Sequence, residues 1–196
     1  MAVRDLMLKN RSCRRFQESV PVSETQLREL VDLARLSASA GNKQPLRYIL
    51  SSDLKTNAVI FEHLGWASYL PDWKGPAEGE RPAAYIVILG DTEVSPTFGC
   101  DHGIAAQSIL LGAVEQGLGG CMLGAIKRDE LRAALGILPQ YEILLVLALG
   151  KPKETVVIEP VTDGNIKYWR DARGWHHVPK RSIKEIVLDL GPTKNG

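Results

Sequence analysis

Two long apolar runs limit most strongly what this chain can fold into. Ala83–Leu89 is uninterrupted and ends at Gly90, and Tyr141–Leu149 is a second, mostly apolar run. A strand with no polar alternation has both of its faces covered. We therefore expect a buried sheet with helices packed on both sides.

Helical periodicity accounts for much of the remaining chain. Ser23 and Gln26 form an S-x-x-Q capping box before apolar residues at helical spacing. Asp101–Gln116 is apolar or small nearly all round, which predicts a buried helix with Asp101 as its N-cap. Shorter helices are predicted at residues 3–10, 52–64 and 127–135, and shorter strands at 47–51 and within 117–124. This irregular alternation predicts the α+β class.

Two segments lack a clear period. Residues 65–80 carry Trp66, Tyr69 and Trp73 among glycines, prolines and charges, and we interpret them as a loop or lid. Residues 151–181 are polar, aromatic and basic, which is uncommon inside a domain unless the segment is functional. We assign residues 1–196 to one domain, in which 151–196 form an arm that embraces a dimer partner and ends in a strand-like segment, Ile183–Leu190.

Composition narrows the function classes. A net charge of +1 gives no general attraction to nucleic acid or membrane, and no window approaches the ~20 apolar residues of a membrane span. The N-terminus lacks the long apolar stretch of a targeting segment. The three cysteines have no C-x-x-C spacing, so neither a disulfide framework nor a zinc site is indicated, and we expect a reducing cytoplasm.

Two runs near the N-terminus offer complementary chemistry. Asn10–Phe16 contains three arginines, whose forks suit a phosphate, and Lys180 with Arg181 could converge on the same group. Leu36–Pro45 is rich in small side chains and amides, which suit the pyrimidine edge of a flavin. The alternatives are a solvated helix end for the first run and a helix C-cap with a left-handed Gly41 for the second. We interpret the pair as a flavin cradle.

Other candidate sites are weaker. Gly117–Gly124 does not match the dinucleotide-binding fingerprint, because it follows a helix and has Met122 where that fingerprint needs glycine. Cys100 and His102 are too close in sequence to converge as a nucleophile pair. His176 and His177 resemble a solvated arm more than a metal pair, because neighbours on extended chain point to opposite faces. We predict no metal site.

Taken in order, five motifs resemble those of the nitroreductase family of FMN-dependent oxidoreductases. They are N-R-S-C-R-R-F at 10–16, S-A-S-A-G-N-K-Q-P at 37–45, R-P-A-A-Y at 81–85, the glycine-rich turn at 117–124 and the K-R-S-I-K-E-I-V ending at 180–187. The resemblance implies a central, mainly antiparallel sheet sandwiched by helices. It also implies a homodimer with FMN at the interface and a C-terminal strand exchanged between subunits.

The resemblance also assigns roles to single residues. Arg11, with Lys180 or Arg181, would hold the phosphate, and Arg15 would face the pyrimidine side of the flavin. Ser12 and Cys13 would line the phosphate loop, while Ser39, Asn42 and Gln44 would reach the flavin of the other subunit. Leu123 and Gly124 would place a backbone N–H near N5.

The expected activity is hydride transfer from NADH or NADPH through flavin N5 to a planar acceptor, such as a nitroaromatic compound or a quinone. The flavin carries the chemistry, so no catalytic side chain is predicted. Trp66, Tyr69 and Trp73 would pack or roof a small planar substrate. The alternatives are a specialised family member (a dehalogenase, or an enzyme of flavin fragmentation or heterocycle oxidation) and an FMN-storage protein. An RNA-binding module would be salt-sensitive and fits the near-neutral charge least.

Overall fold

The computed structural model describes residues 2–189. The chain divides into two units, Met1–Glu154 and Thr155–Gly196. The first contains the helices α1 (Val3–Lys9), α2 (Glu24–Arg35), α3 (Leu54–Glu62), α4 (Asp101–Glu115) and α5 (Arg128–Leu135) and the strands β1 (Leu46–Ser51), β2 (Ala84–Asp91), β3 (Gly119–Leu123) and β4 (Tyr141–Gly150). Every one of these elements was predicted from the sequence, with small differences at the ends.

The four strands form one antiparallel sheet in the order β1-β2-β4-β3. Val87 of β2 lies opposite Ile49 of β1 and Val146 of β4, and the register shifts between Ile88 and Leu89. Every residue of β2 is buried. The prediction of a strand covered on both faces is therefore confirmed.

Alternate residues of β2 divide between two apolar cores, because successive strand side chains point to opposite faces. Ile86 and Ile88 pack in one core with Leu30 of α2 and Ile109 of α4. Val87 and its neighbours on the other face pack with side chains of α3 and α5. The sheet is sandwiched by helices, as the α+β prediction required.

The capping predictions have two outcomes. The hydroxyl of Ser23 accepts a hydrogen bond from the Gln26 backbone N–H at 3.2 Å, so the capping box of α2 is confirmed. The assignment of Asp101 as the N-cap of α4 is wrong, because Cys100 occupies that position without a side-chain bond. The Asp101 carboxylate instead bonds to a distant loop, described below.

The second unit contains a small sheet that the sequence did not reveal. Strand β5 (Val156–Pro160) runs parallel to β7 (His176–Lys180), and the short strand β6 (Trp169–Arg170) pairs antiparallel with β7. His176 and His177 lie on β7 and are buried, so the interpretation of this pair as a solvated arm is wrong.

The strand predicted at Ile183–Leu190 is also wrong where the structure describes it. Ile183–Ile186 is a single helical turn, α6. Glu185 accepts hydrogen bonds from the backbone N–H and the hydroxyl of Ser182, at 2.7 and 2.8 Å, and this capping box favours a turn over a strand. Leu190 lies outside the described residues. The assignment of 151–196 as a dimer-embracing arm stays a prediction.

Candidate functional site

The arginine run lies against β3. Ser12 forms a parallel bridge with Gly120, and the backbone N–H of Cys13 donates to the Gly120 carbonyl at 3.0 Å. Gly119 allows this approach, because a Cβ there would lie 2.8 Å from Pro152 Cγ and 3.5 Å from Cys13 Cβ. Two predicted site segments that are far apart in sequence are thus adjacent.

Arg11 closes the C-terminal end of α1. Its Nε donates to the Asn10 carbonyl at 2.6 Å and its Nη2 to the Met7 carbonyl at 2.9 Å. The guanidinium is partly buried, and this burial lowers its pKa. The helix-end alternative therefore describes the contacts of Arg11, while the desolvated charge beside exposed Ser12 is one that an anion would stabilise.

Glu80 holds Arg15, a pairing that the sequence did not suggest. Its two carboxylate oxygens accept from Arg15 Nε and Nη2, both at 2.6 Å, and Lys153 Nζ lies 3.0 Å from Oε1. The hydrogen bond from Arg15 is the main cause that lowers the pKa of Glu80 to about 2. Arg15 Nη1 takes no part in this fork.

The two cysteines near the arginine run are buried side chains. Cys13 and Cys121 are buried, and burial is the main cause that raises the pKa of each thiol to about 12. Both are therefore neutral thiols near pH 7, and the thiolate is the reactive form. Cys13 lines the loop as packing.

The predicted amide run forms a strained loop at the start of α4. The carboxylate of Asp101 accepts from Ser39 Oγ at 2.6 Å and from the Ala40 backbone N–H at 3.0 Å. Asn42 and Gln44 have φ of 53° and 52°, in the left-handed region that disfavours residues with a Cβ. Such strain persists only where the surroundings fix it, and it is concentrated at functional sites. Asp101 supplies that restraint.

The side chains of this loop also bond to one another. Gln44 Nε2 donates to Asn42 Oδ1 at 3.1 Å, and the Gln44 backbone N–H donates to Ser39 Oγ at 3.0 Å. Ser39 and Gln44 line a cavity of about 220 Å³ together with buried Asp101. The three residues predicted to reach the flavin, Ser39, Asn42 and Gln44, therefore lie together. Gly41 has φ of 58°, the left-handed conformation that the alternative expected, but the C-cap of α2 is Leu36.

The loop and the arginine run lie near different parts of α4. The loop bonds to Asp101, the first residue of the helix, whereas the Cβ position of Gly120 lies 2.8 Å from Leu110, nine residues later. Nine helical residues span roughly 13 Å at ~1.5 Å per residue. The two halves of the proposed cradle are therefore separated along the helix.

The first residue of the lid segment (residues 65–80) lies beside the chain that follows β3. Nothing lies within 4 Å of the Cβ position of Gly124, so open space adjoins the backbone there. One residue later, the Ala125 carbonyl accepts from the Gly65 backbone N–H at 2.8 Å, and Leu64 bridges Ile126. Since Glu80 pairs with Arg15, both ends of residues 65–80 are tied to predicted site segments.

The aromatic residues of the lid differ in exposure. Trp66 is partly buried and packs edge-on against Trp73, with ring centroids 6.3 Å apart. A Cβ on Gly75 would lie 2.7 Å from the Trp66 indole, so a glycine is needed there. Tyr69 is 43% exposed. Trp66 is therefore a packing residue, whereas much of the Tyr69 surface is exposed to solvent.

The remaining predicted phosphate ligands belong to the second unit. Lys180 ends β7, and Arg181 Nη1 lies 3.6 Å from the Glu185 carboxylate. Their convergence with Arg11 stays a prediction.

In the second unit, His177 stacks on Trp169 with ring centroids 4.0 Å apart, and its Nδ1 lies 2.5 Å from Glu159. Within residues 2–189 no group of acidic, histidine and cysteine side chains could hold a metal ion.

Comparison with known proteins decides the family. The model of the nitroreductase family matches residues 7–151. The chain belongs to the nitroreductase family. The resemblance inferred from its motifs is thus confirmed. An Archaeoglobus fulgidus protein, named for NADH dehydrogenase or NAD(P)H nitroreductase activity, is 28% identical over 156 residues, which cover 76% of this chain and 84% of that protein.

Further relatives of this nitroreductase-family chain agree. The NADPH-flavin oxidoreductase of Vibrio harveyi is 22% identical over 80% of this chain and 68% of its own length. A nitroreductase-family structure from Streptococcus pneumoniae has a TM-score of 0.71 at 16% identity and covers 96% of this chain and 100% of that one. At this identity the structural likeness supports the fold alone. No helix in the described part of the chain has the length and apolarity of a membrane span.

Proposed function

We propose that this nitroreductase-family chain is an FMN-dependent oxidoreductase that passes hydride from NADH or NADPH to a planar acceptor, such as a nitroaromatic compound or a quinone. The observation that carries the proposal is the position of the cationic run against β3, with open space beside Gly124 at the end of that strand. The activities in the relatives' names, NAD(P)H nitroreductase and NADPH-flavin oxidoreductase, support it.

The residues on this face fit a flavin mononucleotide. Arg11 is a partly desolvated guanidinium and Ser12 is an exposed hydroxyl, so the two suit a phosphate. Leu123 and Gly124 would bring a backbone N–H to the ring at N5. When bound, FMN supplies hydride chemistry that no side chain here can supply.

The chain's own residues position and stabilise charge. Glu80, which also pairs with Lys153, fixes the guanidinium of Arg15, whose Nη1 would approach the pyrimidine side and stabilise negative charge there. The lid segment, residues 65–80, is held at both ends and would exclude water from the site. Exposed Tyr69 would contact the acceptor. No side chain is required as an acid or base.

We further propose a homodimer in which the 39–44 loop of one subunit reaches the flavin held by the arginine run of the other. The separation of the two segments along α4 supports this arrangement. The C-terminal segment supports a partner too, because Ile183 is 71% and Leu188 is 81% exposed. In this proposal residues 151–196 embrace the partner, and Lys180 or Arg181 joins Arg11 at the phosphate. Dilution that dissociates the dimer and leaves all flavin bound would contradict it.

The proposed location is the cytoplasm. Cys13, Cys100 and Cys121 are free thiols, which a reducing compartment preserves. Recovery of the native protein in a secreted or periplasmic fraction would contradict this assignment.

The activity is tested with purified protein reconstituted with FMN and freed of excess cofactor. We expect stoichiometric flavin absorbance, anaerobic bleaching by NADH or NADPH, and recovery of colour on addition of a quinone or nitroaromatic compound. Absence of bound flavin would refute the proposal. Bound flavin that no nicotinamide reduces would instead support FMN storage.

A matched pair of variants tests the phosphate role. Arg11→Gln should raise the Kd for FMN by about 10–100-fold, because a charged hydrogen bond contributes about 1.5–3 kcal/mol. Arg4→Gln removes an exposed arginine of the same helix region and should leave the Kd unchanged. Equal values for the two variants would remove Arg11 from the site.

A further inference from the structure

A second cleft, of about 390 Å³, lies where β1 ends and β2 begins. Among the described residues that line it, none is assigned above to the flavin. Apolar side chains form much of its wall, and charged or polar groups complete it. The lining comprises Glu18, Ser19, Pro21, Ser52, Leu54, Asn57, Ala58, Phe61, Arg81, Pro82, Ala83 and Tyr85.

Arg81 lines the cleft as a cation without an anion. Its guanidinium lies over the ring of Phe61, with Cζ 4.5 Å from the centroid. Its Nε is buried and has no hydrogen-bond partner, and no carboxylate within residues 2–189 lies within 4 Å of the guanidinium. A guanidinium stacked on a ring keeps its N–H edge for acceptors in its own plane. Arg81 therefore has donors available for a ligand.

Tyr85 is a second donor without an acceptor. The residue is 1% exposed, and its hydroxyl has no hydrogen-bond partner. Buried hydroxyls are nearly always bonded, so each exception needs an explanation. Burial raises the pKa of this phenol, which keeps it protonated and able to donate. Arg81 and Tyr85 thus leave two kinds of donor unsatisfied in one cleft.

Two other polar side chains of the lining, Asn57 and Glu18, already have hydrogen-bond partners. Asn57 accepts from Ser51 Oγ and donates to the Ala83 carbonyl, both at 2.8 Å. Glu18 accepts from the backbone N–H of Gly79 at 2.5 Å and of Arg81 at 3.1 Å. The missing partner is therefore an acceptor for Arg81 and Tyr85.

We propose that this cleft binds a small organic monocarboxylate with a compact apolar body, such as an aryl carboxylate. Its oxygens would accept from the Arg81 guanidinium and the Tyr85 hydroxyl, while Pro21, Leu54 and Ala58 would contact its body. A monoanion fits better than a phosphate dianion, because the carboxylate of Glu18 lines the same cleft and repels negative charge.

The probe is 4-fluorobenzoate, observed by ¹⁹F NMR with the full-length, FMN-loaded protein. We expect saturable binding, and at least tenfold weaker binding of neutral 4-fluorobenzamide. Arg81→Gln and Tyr85→Phe should each weaken 4-fluorobenzoate at least tenfold. Arg28→Gln, which removes an exposed arginine of α2, should leave its affinity unchanged.

Binding on the flavin is distinguished by the visible absorption spectrum, which a ligand stacked on the ring perturbs. Binding that Arg81→Gln and Tyr85→Phe both weaken, with an unchanged flavin spectrum, supports the cleft. Equal affinity of the acid and the amide overturns the proposal. So does binding that survives in both variants, or no binding by folded wild-type protein. If Arg81→Gln does not fold, the near-isosteric Tyr85→Phe variant decides.

Discussion

Replacement of Glu80 by glutamine tests how the lid segment is fastened to Arg15. Glu80 accepts two hydrogen bonds from Arg15 and lies 3.0 Å from Lys153. Glutamine keeps the size of the side chain, but it loses the charge and one acceptor oxygen. We therefore expect Glu80→Gln to destabilise the protein and to leave both cations without their shared counter-ion.

The magnitude follows from the lowered pKa. The fall in the pKa of Glu80 from 4.5 to about 2 corresponds to roughly 3 kcal/mol. Solvent reaches Arg15 and Lys153, whose side chains are 30% and 46% exposed, and its screening reduces the expected loss to about 1–2 kcal/mol. Because folding lowers the pKa of Glu80, its stabilisation is complete above pH 4.5 and is lost as the pH falls through about 2.

Urea unfolding followed by tryptophan fluorescence, at one protomer concentration, measures the effect. The free energies of unfolding of wild type and Glu80→Gln should differ by about 1–2 kcal/mol at pH 7 and by less than half as much near pH 3. Glu78→Gln, an exposed position in the same segment, should change stability by under ~0.5 kcal/mol. A pH-independent difference, or equal effects of the two substitutions, would refute the reasoning.

Three further predictions concern other parts of the chain. Asp101→Asn keeps only one of the two acceptor oxygens that hold the 39–44 loop, so it should weaken FMN binding about tenfold in a fluorescence titration and destabilise the protein by about 1–3 kcal/mol. Gly120→Ala would place a methyl group 2.5 Å from a β4 carbonyl and should cost about 1–3 kcal/mol or more in urea unfolding, whereas Gly103→Ala, with nothing within 4 Å, should not destabilise. Glu159, and to a smaller extent Asp171, raises the pKa of His177 above its usual 6.5. The stabilisation of the fold by protonated His177 is therefore complete below pH 6.5 and is lost as the pH rises through the raised pKa. NMR titration should show that Glu159→Gln lowers the pKa of His177.

The sequence predicted the elements of the first unit because local and global signals agree there. The S-x-x-Q box at Ser23 begins α2 in the structure, and the uninterrupted apolar run of β2 is buried at every residue. The helix predicted at 127–135 is α5, which ends at the left-handed C-cap Gly136, with φ of 63°. Each of these patterns is read within one segment, so no knowledge of distant partners is needed.

The side chains that fix the site could not be predicted in this way. Glu80 is 65 residues from Arg15 in the chain, and Asp101 is 62 residues from Ser39. Local rules made Asp101 a helix cap, but its carboxylate turns to the loop, where it satisfies a backbone donor and a hydroxyl at once. Only the packing of α4 against that loop creates this competition.

The strands and the helical turn of the second unit could not be predicted from local sequence patterns, for a related reason. Its strands are short, and β6 has two residues, too few to show a period. His177 is polar by itself, yet its Nδ1 lies 2.5 Å from Glu159, its Nε2 lies 3.5 Å from Asp171, and Trp169 stacks on its ring. At Ile183 an apolar, β-branched pattern favoured a strand, whereas the Ser182–Glu185 capping box made a helical turn.

The 39–44 loop has an energetically unfavourable backbone and a hydrogen bond between two of its amide side chains. Left-handed φ at Asn42 and Gln44 costs about 1–3 kcal/mol each. The side chains of this loop are linked, because Gln44 Nε2 donates to Asn42 Oδ1, and Gln44 Oε1 remains as an acceptor and Asn42 Nδ2 as a donor. A flavin pyrimidine edge carries an N–H donor beside carbonyl acceptors and matches that pair. In the proposed homodimer, that edge would belong to the flavin of the second subunit.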